Sequence, residues 1–230
     1  MATAIPSIAC LGVIGRNNNP LHITIFPSYD ATTNTRAPLR TPLQFSLLLS
    51  STLDVFETRA RRGGSGSSAQ SGPAGGGSGS SAPILTGDFG LLHAVDERLA
   101  AYGFETNTGV KFVAVVDMRG RITVPLGSGN TGVGVGVGGG AGEKGMGLGA
   151  GAGANIRGGI GLRETDMRVV FRAMQTAYVR LLQNPFYDPD EHAPLVPAGG
   201  GGGGKRITSR KFAEEMRRIG EAWAPGVTSL

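Results

Sequence analysis

Residues 162–189 read LRETDMRVVFRAMQTAYVRLLQNPFYDP, and the rest of the chain is best read outward from them. Met167, Val170, Phe171, Met174, Tyr178, Leu181 and Leu182 recur every three or four residues, which sets them on one stripe of an α-helix. Arg163, Arg168, Arg172, Gln175 and Arg180 turn elsewhere. Glu164 and Asp166 stand in the first turn, where the positive end of the helix dipole favours carboxylates. Asn184 can take the left-handed conformation that ends a helix, and Pro185 has no N–H with which to continue it. Asn184-Pro185-Phe186-Tyr187 also fits the NPxY peptide pattern that adaptor domains read. Directly after an amphipathic helix, the simpler reading is a stop whose Phe186 and Tyr187 fold back onto the core.

Upstream, the sequence speaks of strands. Ile8–Gly15 is almost continuously apolar, as a strand buried on both faces should be. After the turn Arg16–Pro20, residues Leu21–Phe26 alternate, with Leu21, Ile23 and Ile25 against His22, Thr24 and Phe26. Ser28–Leu39 reads as loop. Phe89–Val95 and Ala100–Thr106 form two further strands, and Val110–Asp117 (VKFVAVVD) has no polar face at all, which predicts a central position. Ile207 and Phe212 flank Thr208 as a helix entry, and Phe212, Met216, Ile219 and Trp223 mark a last amphipathic helix. Two strands, a helix, three strands and two helices predict an α+β fold, with helices flanking one five-stranded antiparallel sheet.

The first helix has the clearest start. Thr41-Pro42-Leu43-Gln44 supplies a cap, a proline at the first helical position and a glutamine three residues after the cap. Phe45, Leu48, Leu49, Thr52, Val55 and Phe56 make its inner stripe. At about 100° per residue, Asp54 lies about 180° from Phe45, with Leu43 and Leu47 within roughly 20° of it. Two leucines and one acid therefore share the face that should meet water. That face admits two readings: ordinary exposed leucines, or a docking surface with one fixed charge.

Three tracts, at about 60–85, 119–161 and 194–206, hold most of the 40 glycines of this 230-residue chain. Such segments bury too little apolar surface to offset about 1–2 kcal/mol of backbone entropy per residue. They read as flexible insertions in a single domain spanning 1–230. The one cysteine, Cys10, lies in an apolar run, so no internal disulfide can form. The N-terminus lacks the pattern of a secretory signal, and no apolar run approaches the ~20 residues of a membrane span. A soluble intracellular protein is expected. The net charge of +5 gathers near the C-terminus at Lys205, Arg206, Arg210, Lys211, Arg217 and Arg218. Glu214, Glu215 and Glu221 interleave with it and no aromatic series accompanies it, so a solvated basic face is expected rather than a nucleic-acid site.

Motifs of chemistry fail on context. Gly134–Gly139 spells GxGxxG, but no strand precedes it and no helix opens on it. Gly199–Lys205 approaches a phosphate loop, but Arg206 stands where a magnesium-binding Ser or Thr is needed. His22, His93 and His192 have no second ligand at metal spacing, and the acidic run Asp188, Asp190 and Glu191 lacks the glycine of a calcium loop. No catalytic, cofactor or metal residues are assigned.

The stretch 162–189 with its NPFY ending resembles the sedlin family of TRAPP subunits. YGFETNTGVKFVAVVD (Tyr102–Asp117) and STLDVFE (Ser51–Glu57) are closest to the family's subunit 2-like branch, and ITSRKFAEEM (Ile207–Met216) is similar to its terminal helix. The glycine-rich tracts have no counterpart there. The resemblance implies a longin-like fold, with one helix on one side of the sheet and two on the other. It also implies a non-catalytic subunit of the TRAPP vesicle tether and Rab guanine-nucleotide exchange complex, without cofactor, supporting TRAPPII assembly in ER-to-Golgi and Golgi traffic. The implied partners are other TRAPP subunits, both core and large TRAPPII-specific ones, and indirectly a Rab GTPase. Membrane association is expected to be peripheral, through the complex. The family ties the region of Asp54 to partner binding, which points to Leu43, Leu47 and Asp54 as the partner-binding residues. The alternative reading is a longin-type SNARE or coat-adaptor subunit; a SNARE should continue into heptads and an anchor that this sequence does not show.

Overall fold

A computed structural model describes residues 3–30, 33–64, 87–123, 162, 164–192 and 205–230. Five strands form one antiparallel sheet: β1 (Thr3–Ile14), β2 (Pro20–Ile25), β5 (Asp88–Ala94), β6 (Leu99–Glu105) and β7 (Lys111–Thr123), in the order β2-β1-β7-β6-β5. A separate two-stranded hairpin, β3 (Ser28–Asp30) with β4 (Thr35–Ala37), stands between β2 and the first helix. The helices are α1 (Pro42–Gly64), α2 (Glu164–Leu182), the short α3 (Pro189–His192) and α4 (Arg210–Ala222).

The apolar run predicted to be central is central. Phe112 to Val116 are fully buried, and alternate side chains go to opposite faces of the sheet. Phe112, Ala114 and Val116 join α2 and α4, with Phe171, Met174, Met216 and Trp223, while Val113 and Val115 join α1, with Phe45, Leu49 and Phe56. The α+β architecture with one helix below and two above is thus the expected longin-like one. In β1 the alternation is broken: Ala9 and Cys10 both face α1. A bulge between Ile8 and Cys10 supplies the extra residue and restores register at Leu11. On the α1 side, a Cβ on Gly12 would stand 2.7 Å from Leu49, and one on Gly103 would stand 2.5 Å from the Phe56 ring. The helix lies that close to the sheet because these two positions carry no side chain.

Some of the carbonyls of the two outer strands are taken up from outside the sheet. The Arg59 guanidinium of α1 donates to the carbonyls of Phe89 (2.6 Å) and Leu92 (3.4 Å) on β5. The Ile207 N–H donates to the Leu21 carbonyl of β2 at 2.9 Å. Inside, Asp117 is fully buried and takes two bonds from Arg98, at 2.7 and 3.2 Å; Arg98 also donates to the Tyr29 carbonyl and so ties the β3–β4 hairpin to the sheet.

Several sequence expectations need correction. Ser28–Leu39 is not all loop, since the hairpin occupies much of it; three-residue strands leave no periodicity to detect. The first two tracts begin later, and the third ends earlier, than their composition suggests. α1 continues to Gly64, and β7 continues through Arg119-Gly120-Arg121 to Thr123 because Thr3–Ile5 of β1 pair with it. Lys205 and Ile207 already bond to Glu191 and Leu21. The remaining parts of the tracts, with the 134–139 and 199–204 glycine motifs, lie outside the described residues. Asn184 does not end α2 in the left-handed region. Its side-chain oxygen accepts from the Phe186 N–H at 3.2 Å, an Asx turn, and the left-handed asparagines are Asn18 and Asn34. The cap of α4 is Ser209, one residue after Thr208, and its side chain accepts from the Phe212 N–H.

Candidate partner-binding face

The start of α1 is a reciprocal capping box. Gln44 N–H donates to Thr41 Oγ1 at 3.3 Å, and Thr41 N–H donates to Gln44 Oε1 at 2.9 Å. Arg40, the residue before the cap, pairs with Asp96 in the β5–β6 turn at 2.6 Å. Burial disfavours the Asp96 charge, but Arg40 and the N–H groups of Arg98 and Leu99 outweigh it and hold the carboxyl below its ordinary range. The N-terminal end of α1 is therefore fixed to the sheet by a cap and an ion pair, and Arg59 fixes the other end.

With its inner face buried, α1 presents the opposite face to solvent. Leu43 is 69% exposed and Leu47 63%, far above any leucine of the inner stripe. Asp54 is exposed on the same line. At 1.5 Å per residue this row runs about 16 Å along the helix. The hydroxyls beside it are used internally: Ser50 bonds back to the Ser46 carbonyl and Thr58 to the Asp54 carbonyl. The Asp54 carboxylate has no hydrogen bond or ion pair among the described residues. The structure brings the three predicted residues onto one exposed row: an apolar pair at one end, an uncommitted charge at the other.

Other sequence candidates fall elsewhere. Cys10 is buried, and burial pushes its thiol pKa far up, so it is no nucleophile. His22 lies on β2 against Phe212, hydrogen-bonded to Thr24 at 2.8 Å, and burial lowers its pKa. Glu191 of the acidic run pairs with Lys205. Among the described residues no three His, Cys, Asp or Glu side chains gather at metal-binding distance, and no helix is long and apolar enough to cross a membrane.

The NPFY segment splits in a way the sequence reading did not anticipate. Tyr187 is buried against His192, its pKa raised by burial and by Tyr178, whereas Phe186 is 93% exposed. Leu182, placed on the inner stripe of α2 by spacing, is 40% exposed. Its position is about 100° round from Leu181, an angle that the periodicity already contained.

Residues 13–222 match the sequence model of the Sedlin family. The chain is 21% identical, over 92% of its length and 95% of the relative's, to "Trafficking protein particle complex subunit 2-like protein" of Dictyostelium discoideum. It is 24% identical to the protein of the same name from Mus musculus, over 88% of this chain and 89% of that one. The relatives are thus spanned almost from end to end.

Proposed function

The chain belongs to the sedlin family, and on that premise we propose that it is a non-catalytic subunit of a TRAPP vesicle-tethering complex, docking on neighbouring subunits through α1. The observation that carries this reading is the outer row of α1, where Leu43 and Leu47 are exposed in line with Asp54. Apolar side chains at the start of the row supply area to bury, and the carboxylate supplies orientation. The finer role is support of TRAPPII assembly in ER-to-Golgi and Golgi traffic. Partners are other TRAPP subunits, a Rab GTPase is engaged indirectly, and the membrane is reached through the complex.

Asp54→Arg tests this. If Asp54 meets a cation in the docked state, reversing it costs about 3–5 kcal/mol of association. The isolated chain should keep its melting temperature, since the carboxylate has no partner among the described residues. Tagged Asp54→Arg protein should therefore recover its co-purifying subunits poorly. Recovery at the unmodified level would sink the proposal.

A further inference from the structure

A second surface lies away from α1, on the side of the sheet that carries α4. A groove of about 970 Å³ opens between the N-terminal half of β1, the β3–β4 hairpin and the end of α4. Its floor and walls are apolar, with Ile5, Ile8, Phe26 and Ile122. Two guanidiniums line it, Arg36 from the hairpin and Arg121 from β7. Arg36 is exposed and makes no hydrogen bond or ion pair among the described residues. Arg121 reaches only a neutral acceptor, the Glu221 carbonyl. Burial and the nearby Arg36 charge lower the Arg121 pKa, with the Glu221 carboxylate acting the other way. Two cations are thus held near each other, and the nearby anion, the Glu221 carboxylate, is itself paired with Arg217.

Two further observations concern what would fill the groove. Ser7 is 4% exposed and lines it, and its buried hydroxyl has no hydrogen-bond partner. A buried polar atom left unmatched costs about 1–3 kcal/mol, so an incoming acceptor or donor is favoured there. In addition, β2 covers β1 only from Cys10 onward, whereas Thr3–Ile8 are paired by β7 alone. Pro6, Ser7 and Ile8 are buried and Pro6 has no N–H to donate, so the accessible strand edge beside the two arginines is the short Ala4–Ile5 stretch, where an extended chain can add.

We propose that this groove docks an extended acidic peptide segment of a partner protein, its carboxylate held between Arg36 and Arg121 and its apolar side chains on the half-buried Ile5 and Ile122. A peptide is favoured over a phosphate group because the Glu221 carboxylate also lines the groove. Its repulsion rises with ligand charge, so a single carboxylate is tolerated better than a dianion. The surface is separate from the outer row of α1 and does not rest on that row being an interface.

The test uses the full chain and fluorescence anisotropy. The probe is a labelled pool of peptides about eight residues long, a usual strand length, with a fixed central Asp-Glu pair among random Val, Leu and Ile. The control pool carries Asn-Gln instead. The acidic pool should bind at least about tenfold more tightly, and Arg36→Ala and Arg121→Ala should each weaken it by about tenfold, the effect of losing one charge-assisted bond. Arg210→Ala, on the exposed start of α4, should leave binding unchanged. Arg36 makes no bond whose loss would unfold the chain, so its variant keeps the test open if Arg121→Ala fails to fold. Equal binding of the two pools, or equal loss in Arg210→Ala, overturns the proposal. So does binding that depends on Arg36 only with phosphatidylserine vesicles or inorganic phosphate and not with the peptide pool.

Discussion

The two faces of the sheet are packed differently. Above it, α2 and α4 cover the sheet together and hold each other: Tyr178 meets Phe212, Trp223 Nε1 donates to the Asp166 carbonyl, and Arg180 pairs with Glu215. Below it, α1 lies alone. A helix with a neighbour uses two of its faces for the fold; a helix without one leaves its outer face to solvent. The two upper helices are braced by each other, whereas α1 is held only by its cap, its ion pair and the sheet.

That contrast can be tested by size of effect. Phe171→Ala, in the upper core, should destabilise the chain by about 3–5 kcal/mol, read as a lowered denaturant midpoint. Gly103→Ala strikes the seat of α1 and forces Leu92 and Phe56 apart; overpacking of this kind costs about 1–3 kcal/mol. An unchanged midpoint would mean that α1 shifts freely on the sheet. The third effect is smaller and belongs to the upper side. The His22 pKa is lowered by burial from its ordinary 6.5, so the unfolded chain protonates first as the pH falls. Stability from this group is full above about pH 6.5 and declines as pH falls toward the folded pKa. His22→Gln should flatten the fall in melting temperature between ~pH 7.5 and ~pH 5.5. Smallest of all, Leu43→Ala should change stability by about 0.5 kcal/mol or less, although it removes a leucine from the same helix as the buried Leu49. A larger loss would mean that the outer row already packs within the chain.

What the sequence made legible follows the same division. The row Leu43, Leu47 and Asp54 needs only one helix and its period, and the cap at Thr41 fixes where that period begins. The central strand was visible because both faces of Val113–Val116 are apolar, and β2 because Leu21, Ile23 and Ile25 alternate with their neighbours. The hairpin at Ser28–Ala37 and the end of β7 were not, because Arg119-Gly120-Arg121 becomes strand only through its pairing with Thr3–Ile5. The Arg36–Arg121 groove was hidden for the same reason. It is assembled from four segments distant in sequence, and no local pattern marks any of them. Phe186 and Tyr187 share one turn yet part company, which the order of residues alone did not reveal.

Arg59 and Ile207 have a consequence for solution behaviour. By occupying the Phe89 and Leu92 carbonyls of β5 and the Leu21 carbonyl of β2, they remove acceptors that the strand of an identical copy would need in order to pair along β5 or β2. The exposed leucines of α1 and these strand edges are thereby kept apart, which disfavours edge-to-edge stacking of identical copies.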